Sequence, residues 1–482
     1  MSFLGVDIGT THCKAGVFDA RGHALRIAKR PTPTQYAQDG RAFYEPDTLW
    51  QTILSAVQEV ASADVQAVGV NSMAETGILL DRKTKTAHSA FLPWFDASAA
   101  PQVERYLSQH SDERFGRTGI RANFKGGLAR LLWLREQGIP LAGTVWLSAA
   151  DYVVFRLTGA FATDYSLAGR TYAFDIQNKV WDSEYLEILH IPDNLFPQAV
   201  LAGVPAGELA CAEAGLPKGI PVAVAGHDHV CAAFAVGAAE RGGVFDSAGT
   251  AETLVGTIGQ VELNQPAFDS GLSYGCHVVP ERCYWMGGIS ASGGSVEWLR
   301  VQLGDLAYEQ VYALLENLDD GPTGILYYPY LSGSGIPRPD SAVRAAFIGL
   351  NKSHQRGHLF RAVMEGAAFE LETIRRAAEA STGQPIRTIM SVGGGTRIPQ
   401  WTQIKADVTG CAFHVPAVEE AALLGAALLA ARGAGYEMSA EYDTQATFSP
   451  DEANRRRYHD LYEQGYLPLQ TPLEQFYRSM KS

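Results

Sequence analysis

The segment Gly5-Val6-Asp7-Ile8-Gly9-Thr10-Thr11-His12-Cys13-Lys14-Ala15-Gly16-Val17-Phe18-Asp19 sets two apolar runs on either side of a Gly-Thr-Thr turn. The pattern reads as strand, tight turn, strand. Gly9 lets backbone N–H groups approach an anion closely, and the Thr10 and Thr11 hydroxyls and Lys14 add donors and charge. Asp7, just before the turn, stands where a carboxylate can hold a hydrated Mg²⁺ beside phosphate groups. An ordinary N-terminal hairpin has the same outline, so the remaining chain must decide between the two readings.

The design recurs. Val244-Phe245-Asp246-Ser247-Ala248-Gly249-Thr250-Ala251-Glu252-Thr253-Leu254-Val255 again places a Gly-Thr turn between two β-rich runs. A repeat at this distance divides the chain into similar halves, 1–242 and 243–482, each expected to be a mixed sheet flanked by helices. The phosphate turns would then face each other across a cleft. In the first half, Asp47 is a fair N-cap for a helix opening at Pro46, and Val65–Val70 reads as a buried parallel strand. Ile78–Asp81 reads as a further strand, residues 101–160 as mostly helical, and Pro221–Ala225 as a strand. The second half offers a helix near Gly294–Leu303, strands at Ile325–Tyr328 and Ile389–Val392, a long helix from Leu359 to Ala380, and a small-residue helix over Glu420–Ala431.

Polar residues gather where such strands end, the usual place for ligand contacts in α/β sheets. Asp228, in Gly226-His227-Asp228-His229, is the best candidate for a general base, although a helix-capping Asp has the same signature. His227 and His229 alternate on a turn without a further Cys/His cluster, which is weak support for a metal site. Ser72, Met73 and Glu75 lie on one strand-end turn, and Trp94, Asp96 and Asp164 on other strand ends or loops. Taken singly, each is as well explained by a cap or turn. Ser391-Val392-Gly393-Gly394-Gly395-Thr396 joins a strand to a helix with room for close approach of a flat or phosphorylated ligand.

Composition narrows the class. The 482 residues carry a net charge of −13, which argues against nucleic-acid or anionic-membrane partners. Six dispersed cysteines without a CxxC pair fit reduced thiols. With no basic leader and no apolar run long enough to span a bilayer, a soluble cytoplasmic protein is expected.

Ala345-Ala346-Phe347-Ile348-Gly349-Leu350, followed after seven residues by His358-Leu359-Phe360-Arg361-Ala362-Val363-Met364-Glu365, resembles the C-terminal signature of the FGGY carbohydrate kinases at every defined position. Pro329–Gly333, Gly393–Gly395, Ala406-Asp407, Ala421–Ala431, Asp7–Lys14, Thr163–Ser166 and Ala168–Thr171 stand around it in the family's order. The resemblance implies an α/β fold of two actin-like, ribonuclease H-like domains around a central catalytic cleft, the first holding the sugar and the second ATP. It implies Mg²⁺ at Asp7, the transferred phosphate at Thr10, Thr11 and Lys14, a second phosphate turn at Gly249 and Thr250, and adenosine against Gly393, Gly394 and Gly395. Asp228 matches the family's base. Ser72, Met73, Glu75, Trp94, Asp96, Asp164 and His229 would face the substrate, and a homodimer is the family-level expectation.

The departures cluster at the sugar end. Ser72-Met73-Ala74-Glu75 replaces the xylulokinase Gln-Met-His-Gly turn, Ala99 stands near an expected Arg, and Arg130 takes the place of a Lys. They put D-xylulose itself in doubt and point to phosphorylation of a primary hydroxyl on a ketose, polyol or sugar acid. An actin- or Hsp70-like ATPase and a sugar-sensing pseudokinase are the rival readings. The full C-terminal signature disfavours the first, and Asp7 with Asp228 the second.

Overall fold

The computed structural model describes residues 1–480. The first hairpin forms as β1 (Ser2–Ile8) and β2 (His12–Asp19), with β3 (Ala24–Pro31) antiparallel to β2. On the other side of β1 lie β4 (Val65–Ser72) and, beyond β5 (Gly77–Asp81), β6 (Thr144–Ser148) and β7 (Pro205–Glu208) in sequence, β8 (Pro221–His227). The sheet runs β7-β8-β4-β1-β2-β3. Its β1–β4 and β4–β8 pairs are parallel, and β7 is an antiparallel edge.

The second half builds the same ladder. Its strands are β9 (Val244–Ala248), β10 (Glu252–Ile258), β11 (Ser273–Cys276), β12 (Cys283–Ile289), β13 (Thr388–Val392), β14 (Ala412–Pro416) and β15 (Thr444–Phe448), in the order β11-β12-β10-β9-β13-β14-β15. β9–β10 and β10–β12 are antiparallel, β9–β13 and β13–β14 parallel, and β14–β15 antiparallel. Apart from the extra strand β11, the two sheets match pair for pair. The repeat read from two Gly-Thr turns is therefore a repeat of the whole sheet.

Some expected elements take other places. β5 pairs with β6, a strand inside the stretch expected to be helical, and Leu326–Tyr328 pairs with Ala346–Ile348. Neither joins a main sheet. Helix α1 (Pro46–Val60) has Glu45, not Asp47, at its N-cap, because Pro46 occupies the first helical position.

The helices that position the site are α2 (Gly127–Glu136), α3 (Ala149–Thr158), α4 (Tyr165–Ala168), α5 (Asp228–Ala235), α6 (Gly293–Gln302), α7 (Arg356–Thr382), α8 (Pro399–Thr409) and α9 (Ala421–Gly433). α9 comes late in the chain but packs against β1, β4, β8 and α5 of the first half. Its Ala- and Gly-rich sequence explains the fit. A Cβ on Gly5 would overlap the Leu423 carbonyl, one on Gly69 the Ala426 carbonyl, and one on Gly425 the Cys231 carbonyl. Leu423, Leu424 and Leu429 are buried there in one core with Phe3 of the first sheet and Phe245, Val255 and Met286 of the second. Each such leucine stabilises the fold by about 1.5–3 kcal/mol. α5 and α9 thus form a layer between the sheets.

Candidate active site

Three charges meet at the first turn. Lys14 Nζ lies 3.5 Å from Asp7 Oδ2 and 2.9 Å from Glu420 Oε2, at the start of α9. The antiparallel register places Asp7 opposite Lys14, so the hairpin itself creates the first pair. Burial pushes the Asp7 carboxyl up to about 6; Lys14 opposes this, while Asp228 and Glu420 add to it. Asp7 Oδ1 is buried without a hydrogen-bond partner. Gly9 N–H donates to the His12 carbonyl, and Thr11 and His12 are exposed at the tip.

Asp228 stands where β8 ends and α5 begins. Its Oδ1 accepts the His229 N–H at 2.7 Å and lies 3.2 Å from His227 Nε2. Its Oδ2 takes no hydrogen bond from a described residue. Burial lifts this carboxyl to about 7, with Glu75 adding to the effect and Lys14 opposing it. Burial lowers His229 to about 4 and His227 well below its ordinary value, so both imidazoles are neutral at physiological pH. We assign the Nε2–H tautomer to His227, since that nitrogen faces the carboxylate. Ligand atoms of His227, Asp228 and His229 lie within 4.8 Å of one another. The His227–Asp228 contact accounts for this closeness without an ion.

The substrate-side candidates separate into two groups. Glu75 adopts φ 61°, strained for a non-glycine residue, and its Oε1 accepts two hydrogen bonds from Arg170, through Nε (2.7 Å) and Nη2. Trp94 Nε1 donates to Thr10 Oγ1 at 2.8 Å, tying the indole to the phosphate turn. Arg130 fixes the approach to Trp94 by donating to the carbonyls of Leu92, Pro93 and Lys125. Glu75 and Trp94 are thus held by other side chains of the site, and His229 directly follows Asp228.

Four others are engaged within the fold. Asp164 is fully buried, and its oxygens accept the Ser166 and Leu167 N–H groups as the cap of α4. Ser72 is fully buried, donating to the Met73 carbonyl and accepting from Ala150 N–H at the start of α3. Asp96 accepts backbone N–H groups of Ala42 and Ser98. Met73 is buried, its sulfur beside Thr10 Oγ1. Asp164, Ser72 and Asp96 hold backbone in place, while Met73 packs against Thr10.

On the second half, the Gly249-Thr250 turn receives the start of α6: Gly293 N–H donates to the Gly249 carbonyl, and Ser292 and Gly294 N–H to that of Thr250. Gly393, at φ 106°, brings the triple-glycine loop onto β9, and a Cβ there would meet the Ala248 carbonyl. Gly249, Thr250 and Gly393–Gly395 thus share one surface, on which Gly393 and Gly394 are exposed. Below the turn, Lys405 pairs with Asp246 (3.3 Å) and Glu252, while Ser391 and Ser292 donate to those carboxylates.

Arg170, Lys125, Tyr284 and Glu420 received no role from the sequence. Arg170 lay inside a quoted family block, and its pairing with Glu75, 95 residues away, is the signal that the block concealed. Tyr284, from β12, acts electrostatically on Arg170, so a strand of the second half reaches the Glu75–Arg170 pair. Glu420 directly precedes a helix whose packing on the first sheet was not expected.

Two matched sheets, a glycine-lined surface on one half and a partly buried carboxylate beside a Lys-bearing turn on the other, define a two-domain phosphotransferase of the actin-like ATPase type. Residues 2–235 match the N-terminal domain of the FGGY family of carbohydrate kinases, and residues 246–434 match its C-terminal domain. The chain belongs to this family, whose members phosphorylate sugars or polyols at alcohol groups with ATP. It is 29% identical over 479 residues to the xylulose kinase of Bacillus subtilis (strain 168), covering 95% of each chain. It is 31% identical over 455 residues to the glycerol kinase of Gloeobacter violaceus (90% of this chain, 88% of the other). The crystal structure of xylulose kinase from Rhodospirillum rubrum superposes with a TM-score of 0.87 at 25% identity, over 99% of this chain and 100% of that one. Among the described residues no helix is long and apolar enough to cross a membrane.

Proposed function

We propose that this kinase transfers the γ-phosphoryl group of ATP to a primary hydroxyl of a small polyhydroxy compound, with Asp228 as general base. The observation that carries the reading is the Asp228 carboxylate. Its Oδ1 is held by the His229 backbone and faces His227, while Oδ2 is left for a substrate O–H. The free oxygen would accept the hydroxyl proton as the hydroxyl oxygen bonds to the γ-phosphorus and the bond to the β–γ bridging oxygen breaks, releasing ADP. Lys14 and the Thr10–Thr11 turn would face the phosphoryl oxygens, and Gly249, Thr250 and Gly393–Gly395 the nucleotide. The halves 1–242 and 243–482 would then be the sugar and nucleotide sides, α9 being the second half's contribution to the first.

Mg²⁺ fits the residues present. The Asp7 Oδ1 is buried and unpartnered, and Asp228 adds to the raised proton affinity of the Asp7 carboxyl, a repulsion that a cation would relieve. Asp7 would hold the ion, which supplies charge neutralisation on the phosphates when bound.

The test is a coupled ADP-release assay with ATP and Mg²⁺ over a panel of ketoses, polyols and aldonates, on the wild type and Asp228→Ala. We expect stimulation by one chemical class and a loss of about 10³-fold or more in the variant. Release that no compound stimulates, or that survives loss of Asp228, contradicts the reading.

A further inference from the structure

Resting on the kinase reading above, the structure assigns Lys125 as the residue that selects an anionic substrate, a sugar acid whose carboxylate lies at the end opposite the phosphorylated hydroxyl. Lys125 sits in the loop before α2, with its backbone fixed at both ends: its N–H donates to Asn123 Oδ1 at 2.9 Å, and its carbonyl accepts from Arg130 Nε at 3.0 Å. The ammonium lies 4.7 Å from the centre of the Trp94 ring, the same indole that bonds Thr10. Among the described residues it forms no ion pair and no side-chain hydrogen bond. The side chain is only partly buried, so a ligand can reach it.

The surrounding charges are unbalanced. Arg170 is occupied by Glu75 through two hydrogen bonds, and Arg130 spends its donors on carbonyls. Three cations, Lys125, Arg130 and Arg170, stand against the two carboxylates Glu75 and Asp96, the charges that act on this group. Lys125 is thus left without an ion-pair partner among the described residues, in a chain whose net charge is −13. Burial and the neighbouring arginines lower the proton affinity of Lys125, a cost that a bound anion would offset.

Glu75 acts on both Asp228 and Lys125, whereas Lys125 and Asp228 are not among each other's charge partners. Lys125 and Asp228 form no ion pair with each other, and an extended chain could place its terminal hydroxyl at Asp228 and its far end at Lys125. A carboxylate suits that end better than a phosphate, because one spare ammonium matches a monoanion and Glu75 would repel a dianion.

The test compares kcat/KM for D-gluconate and D-xylonate with that for the alditols of equal length, sorbitol and xylitol, in the wild type, Lys125→Met and Lys125→Arg. We expect the acids to be favoured at least 100-fold in the wild type. Lys125→Met should shrink that ratio at least tenfold, mainly through KM, and Lys125→Arg should keep most of it. The ratio is insensitive to partial unfolding, which lowers both rates together. An alditol or ketose used as well as the acids, or a ratio unmoved in Lys125→Met, overturns the assignment. If nothing is turned over, the kinase reading fails separately. Calorimetric binding of D-gluconate that is lost in Lys125→Met would still support the site, and absence of binding would overturn it.

Discussion

The two strand-turn-strand hairpins share a fold and differ in what they do with charge. In the first, Lys14 lies on the hairpin itself, its side chain 22% exposed, between Asp7 and a glutamate borrowed from α9. In the second, the lysine arrives from α8, and Lys405, Asp246 and Glu252 are at most 2% exposed. Burial and repulsion from Asp246 push Glu252 up to about 8 despite Lys405. The repeat thus copied a ladder of strands and not a site. An open lysine is available to a ligand, whereas a sealed one braces the sheet beneath a glycine turn.

Lys405→Met is the strongest way to break this contrast. It leaves two carboxylates buried without their cation, and we expect a loss of about 3–5 kcal/mol, read as a lowered urea midpoint. Lys14→Met should stay within about 1 kcal/mol of wild-type stability, since its pair is partly solvated. Its kcat/KM for ATP should nevertheless fall about 10²–10³-fold, as expected for removal of one charge donor to the reacting phosphate. If instead Lys14→Met unfolds the protein and Lys405→Met only slows it, the assignments are reversed. The smallest effect is expected for Glu420→Gln. Lys14 keeps Asp7 there and loses one restraint, so kcat/KM should change by no more than about tenfold, a shift of about 1.4 kcal/mol. A loss as large as that in Lys14→Met would make Glu420 part of the phosphate machinery.

The parts of this molecule that were legible in sequence are the local ones. The Gly-Thr turns, the strand-to-helix junction at Asp228 and the triple-glycine loop are each set by a few adjacent residues, and they lie where their patterns place them. Ser72 and Asp164 are buried within the fold, and a polar residue at a strand end has two uses. Exposed, it meets a ligand; buried, it caps the next helix, and spacing alone does not separate these. β6 was hidden because a five-residue apolar run between helices carries little periodicity. The Glu75–Arg170 pair and the seat of α9 under the first sheet are long-range packing, visible only once the chain is folded.

The central claim is that the Asp228 carboxylate, its Oδ1 held by the His229 N–H and its Oδ2 unbonded among the described residues, removes the substrate proton. The most direct measurement is the pH dependence of kcat/KM for substrate-stimulated ADP release between pH 5 and 9. The base works in its charged form, and burial raises its carboxyl to about 7, so the rate should be lost as pH falls. We expect a plateau above about pH 8 and a decline approaching tenfold per unit below about pH 6. A rate constant across this range, in a protein that remains folded throughout it, would contradict the assignment of Asp228 as the base.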